Sequence, residues 1–96
     1  MFYQQGDIII ESSKIPMCLK KLNHRILAEG ESTGHKHIVI EEELSELFAD
    51  EKGNLFLKAK EPVTIKHNEH NPIVIPAGDY SIRHVLEYDH FAEEAR

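Results

Sequence analysis

A single cysteine, Cys18, occurs in the 96-residue chain. It can close no internal disulfide and cannot supply a multi-cysteine zinc site. Flanked by Met17 and Leu19, it reads as a packing residue rather than a nucleophile, and such sparing use of cysteine fits a reducing compartment. Long apolar runs are missing too: none approaches the roughly 18 residues that cross a membrane. The first residues carry neither the basic segment nor the apolar stretch of a secretory leader. The sequence therefore predicts a soluble cytoplasmic protein with no membrane partner. Basic residues are scarce, 11 Lys and Arg against 17 Asp and Glu, for a formal net charge of −6 with His neutral. Nucleic-acid binders present a basic face. Here only Lys14, Lys20, Lys21 and Arg25 gather, which disfavours nucleic acid as a partner.

What the chain has instead is histidine, seven residues of it. They sit in a frame of short β-branched runs separated by turn chemistry. Ile8-Ile9-Ile10, Arg25 to Glu29, His35 to Glu41, Leu55 to Lys60, Val63 to His67, Ile73 to Ile75 and Tyr80 to Tyr88 read as strands. Glu31-Ser32-Thr33-Gly34, Asp50-Glu51-Lys52-Gly53-Asn54, Asn68 to Pro72 and Pro76-Ala77-Gly78-Asp79 read as turns. A hairpin across Asp50–Asn54 is preferred over a helix from Glu42 to Asp50. Ser12 to Lys21 reads as a loop or a helical turn, and Asp89 to Arg96 as a short terminal helix. The predicted fold is all-β, one small barrel or sandwich over residues 1–96. So short a β domain has a small core and an unpaired edge, and a homodimer is expected.

Strand periodicity then sorts the histidines, since alternate side chains share a face. His35, His37, Val39 and Glu41 fall together. Val63, Ile65 and His67 fall together, as do Tyr80, Ile82, His84 and Leu86, both on an inward face. Three strands thus deliver imidazoles towards one interior. Zinc, iron or nickel takes three or four such ligands, often with a carboxylate. His35 with His37 reads as a ligand pair, because two imidazoles on one face are hard to satisfy otherwise. His67 and His70 flank a turn that can bring both rings together. His84 alone reads as a hydrogen-bonded core residue more than as a ligand, while His24 and His90 read as solvated. Gly30 and Gly34 around Glu31-Ser32-Thr33 could form a small anion nest, but no Gly-Lys-Ser pattern follows.

His35-Lys36-His37-Ile38-Val39-Ile40-Glu41 resembles the first motif of the cupins, which carries His-x-His and then Glu. Pro76-Ala77-Gly78 resembles the start of their second motif. Ser81 stands where that motif has a ligand His, and His84 lies three residues further on. The resemblance implies a β-barrel with a metal on His35, His37 and Glu41. Gln5-Gly6-Asp7, the stretch from Ala28 to His37, His67-Asn68-Glu69-His70 and Pro76 to Tyr80 resemble a family of short bacterial and phage proteins without an assigned function. That resemblance implies a compact unit and offers no activity to carry over.

The residues support two expectations. In the first, a small cytoplasmic β-barrel binds a divalent metal (zinc, iron or nickel) through His35, His37 and one or more of His67, His70 and His84, with Glu41 or Glu69 as further ligand or base. The metal would act on a small-molecule ligand if the protein is an enzyme, which the sequence leaves open. In the second, the chain is an interaction or assembly module whose histidines serve hydrogen bonding or pH response.

Overall fold

The computed structural model describes residues 2–17, 19–29 and 34–84. Ten strands form two antiparallel sheets: β1 (Phe2–Gln5), β2 (Ile8–Ser12), β3 (Lys20–Leu22), β4 (Ile26–Glu29), β5 (Lys36–Val39), β6 (Ser45–Ala49), β7 (Leu55–Ala59), β8 (Val63–Lys66), β9 (Ile73–Ile75) and β10 (Gly78–His84). A six-stranded sheet runs β1-β2-β10-β7-β6-β3, and a four-stranded sheet runs β4-β5-β8-β9. The fold is sandwich-like, the second of the two expected architectures, and the sheets do not close into a barrel. Among the described residues β4 and β9 end their sheet without pairing with the other one.

Two hairpins show how local sequence sets this register. Gln5 pairs with Ile8 across Gly6-Asp7, and Gly6 has φ +59°, a left-handed conformation that glycine adopts without steric cost. The turn expected between β6 and β7 is built around Asp50. Its carboxylate accepts the backbone N–H of Lys52 and of Asn54 and the Asn54 side-chain amide, each at 2.9 Å. The alternative helix from Glu42 shrinks to one 3-10 turn, Glu42–Leu44. Of Ser12 to Lys21, Ser12 ends β2, Ser13 to Leu19 is loop where described, and β3 begins at Lys20. Cys18, the Glu31–Thr33 segment, the strand residues beyond His84, the terminal helix and His90 lie outside the described residues.

The core is aliphatic. Ile8, Ile10, Leu47 and Leu57 of the six-stranded sheet join Leu27, Val39, Val63, Ile65 and Ile75 of the four-stranded one in a single cluster, closed by Tyr80. The Tyr80 hydroxyl is not wasted in it, since it donates to the Pro76 carbonyl at 2.6 Å. Arg25, just before β4, reaches to the other sheet: its Nε donates to Ser45 Oγ at 3.1 Å and its guanidinium to the Ser45 carbonyl at 2.8 Å.

A candidate histidine pocket between the sheets

The hairpin turn Gly6-Asp7 faces β5 and the loop after β8 across a pocket of ≈ 490 Å³. His35, His37, His67, His70 and His84 line it, together with the carboxylates of Asp7, Glu29 and Glu69. The strand parity of β5 holds, for His37 and Val39 are both buried and point the same way. His37 is the anchor, with only 3 % of its surface exposed. Its ring centroid lies 4.2 Å from that of His67, and His67 lies 4.6 Å from His70 and 5.7 Å from His35. The His37 and His70 rings are nearly parallel, 6.2 Å apart.

Both nitrogens of His37 are engaged. Nδ1 stands 2.8 Å from Gln5 Oε1, and Nε2 stands 3.1 Å from Asp7 Oδ1. Gln5 is itself buried, and its amide nitrogen donates to the backbone carbonyls of Ile65 and Asn71, both at 2.9 Å. The β1 strand thus ties its hairpin to the opposite sheet through one side chain. Elsewhere in the pocket, His67 Nδ1 accepts the Glu69 N–H at 2.9 Å. His35 Nδ1 lies 3.6 Å from Glu69 Oε1.

Two expected site residues are placed differently. Glu41 does not line the pocket. Its carboxylate accepts the Thr64 N–H at 2.7 Å and the Thr64 hydroxyl at 2.8 Å, extending the β5–β8 ladder where the backbone bends away. Those bonds, the backbone one foremost, hold its carboxyl below the usual glutamate range. His84 is exposed at the end of β10 rather than buried. It reaches the pocket only as part of its rim. Ser81 pairs within the six-stranded sheet, opposite Glu11 and Phe56. His24 lies away from the pocket, exposed, with Nδ1 accepting the Ile26 N–H.

The full ligand cage expected from the sequence is not assembled either. Among the described residues no three His, Cys, Asp or Glu side chains stand together as a ready metal site. The reason is visible in the ring geometry: the imidazoles pack on one another edge-to-face, tilted or stacked, and the His67 lone pair is spent on a backbone N–H. Gln5 and Asp7, both central here, were missed in the sequence. Their signal was Gly6-Asp7 as a two-residue turn just before a β-branched strand.

The electrostatics give one pH prediction. Burial, above all, pushes the His37 imidazole below its ordinary value of 6.5; the Asp7 hydrogen bond opposes this, and His67 and His70 add to the lowering. The folded protein therefore binds this proton less readily than the unfolded chain does. The His37 contribution to stability is complete above pH ~6.5 and is lost as pH falls from there through the folded value. Urea midpoints measured with chelator present should fall on acidification below ~6.5. A midpoint that rises there would contradict the assignment.

Among the described residues no helix is long and apolar enough to cross a membrane. No curated protein and no solved structure matches the chain. A family described as a domain of unknown function, DUF8820, matches residues 4–85, a span that opens one residue before Gln5 and takes in the whole histidine pocket. The chain belongs to the DUF8820 family.

Proposed function

We propose that this protein is a small β-sandwich module that binds a divalent transition metal in the histidine pocket, acting in the cytoplasm. The observation that carries this reading is the crowding of four imidazoles, His35, His37, His67 and His70, beside Asp7 and Glu69. Neutral imidazole is the commonest protein ligand for zinc, iron and nickel. Four such rings with ring-to-ring spacings of 4.2 to 6.2 Å form a nitrogen-rich wall that ligation would satisfy better than ring packing does. Closing such a site asks for rotation of the less buried rings about their broad terminal torsion, while His37 stays fixed. A metal bound there would supply a Lewis acid or an activated water. Glu69, mostly exposed and facing His35, stands where a base would serve it.

A second reading, an interaction module without metal, draws on apolar side chains left in solvent on or beside the four-stranded sheet, Ile40 and Val74 being 50 % and 63 % exposed. Under it the protein pairs with a second copy and the histidines are structural. Calorimetric titration of tag-free protein with zinc separates the two. The metal reading expects one saturable site, abolished in the double variant His35→Ala with His37→Ala. No heat from the wild type, with a large fall in melting temperature for the double variant, would overturn it. Elemental analysis of the tag-free wild type tests the same reading without requiring that the fold tolerate truncation of the buried His37.

A further inference from the structure

The orientation of one amide determines where a metal would sit. The Gln5 amide nitrogen faces two backbone carbonyls, Ile65 and Asn71, at 2.9 Å each. Carbonyls only accept, so turning the amide over would set oxygen against two oxygens. Gln5 Oε1 must then be the atom facing His37 Nδ1 at 2.8 Å. An oxygen there can only accept, so Nδ1 carries the proton. In neutral His37 the lone pair is therefore on Nε2. That atom faces a carboxylate oxygen of Asp7 at 3.1 Å. A lone pair and a carboxylate oxygen repel each other unless a cation lies between them, either a proton on Nε2 or a metal ion.

We propose that His37 Nε2 and the Asp7 carboxylate are the first two ligands of the metal, that His70 is the third, and that Gln5 is the positioning residue that fixes His37 as an Nε2 ligand. The inference rests on the metal reading above. Two donors each about 2.0–2.1 Å from zinc stand about 3.3 Å apart at a tetrahedral angle, close to the 3.1 Å found. His70 is the third because its ring leans on Gly6, next to Asp7: a Cβ built on Gly6 would collide with His70 Nε2. A glycine with φ +59° thus leaves the space that the His70 ring fills beside the Gly6-Asp7 turn. His67 is a poorer choice, since its Nδ1 lone pair is committed to the Glu69 N–H and its Nε2 in the neutral ring then carries the proton. The set is two imidazoles and one carboxylate, with the fourth position left to water or to an oxygen-donor ligand. A ligating His whose other N–H is held by a fixed acceptor is the arrangement that sets ring orientation and tautomer in metal sites.

The test titrates zinc into tag-free, 15N-labelled protein. Long-range proton–nitrogen spectra of the imidazoles should show His37 protonated at Nδ1, with the Nε2 resonance moving to a metal-bound position on saturation. Asp7→Asn, nearly isosteric and on an exposed turn, should weaken zinc on the order of tenfold to a hundredfold, and so should His70→Ala. His24→Ala, outside the pocket, should leave affinity unchanged. Zinc bound by the wild type with Asp7→Asn at wild-type affinity, or with metal on His37 Nδ1, overturns the ligand assignment and leaves the metal reading standing. No zinc bound by the wild type removes both.

Discussion

Truncating Ile65 to alanine is expected to lower stability by about 2–5 kcal/mol. Ile65 is fully buried, and on β8 it pairs with Val39 on one side and Ile73 on the other. The lost methyl groups face both sheets, in a cluster that has no tryptophan and little aromatic volume to close the gap. For a domain of this size total stability is roughly 5–15 kcal/mol, so this one change removes a large part of it. Val74→Ala, on the solvent face of the neighbouring strand and 63 % exposed, is the control. It should stay within about 0.5 kcal/mol of wild type. Denaturant midpoints with unchanged slopes are the measurement, and an Ile65→Ala loss no larger than that of Val74→Ala would show that the two sheets do not share this core.

Replacing Gln5 by leucine should be nearly as damaging, although it removes no apolar contact. The amide satisfies the Ile65 and Asn71 carbonyls and receives His37 Nδ1–H, the Ile65 and His37 bonds being buried and the Asn71 bond partly so. Leucine fits the space and satisfies none of them. At about 1–3 kcal/mol for each polar group left buried without a partner, and with partial relief by relaxation, a loss of roughly 2–5 kcal/mol is expected. Gln4→Leu, one residue earlier and exposed, removes only a bond to the Gly6 carbonyl and should cost well under half as much. Equal losses at the two positions would mean that the Gln5 network does not hold the hairpin to the opposite sheet.

The fold was legible where it depends on local pattern. Ile8-Ile9-Ile10, Val63 to Lys66 and Ile73 to Ile75 are β-branched runs with turns beside them, and each forms a strand. The Asp50–Asn54 hairpin followed from its turn residues. β1 was not legible, because Phe2-Tyr3-Gln4-Gln5 alternates poorly and is a strand through its pairing with β2. β3 was hidden for the same reason, as Lys20–Leu22 is defined by a distant partner, β6. Parity placed His37 correctly. It failed for His84, which continues the face of Tyr80 and Ile82 past the point where the opposite sheet still covers it, so the inward direction there leads to the pocket rim. Glu41 shared the parity of His37, but the chain bends after Val39 and its carboxylate turns to Thr64. Gln5 and Asp7 sit at a turn that the sequence signals, but their roles depend on a partner thirty-odd residues away.

The pocket takes Asp7 from a hairpin of one sheet and His37 from a strand of the other. Whatever occupies it therefore acts as a clasp across the sandwich. A ligand held by both residues would resist any sliding or parting of the two layers. On the metal reading, occupancy and folding are linked, so that resistance to heat or proteolysis would rise with the logarithm of metal concentration. On the same reading, a cell short of the metal would hold less of the folded protein.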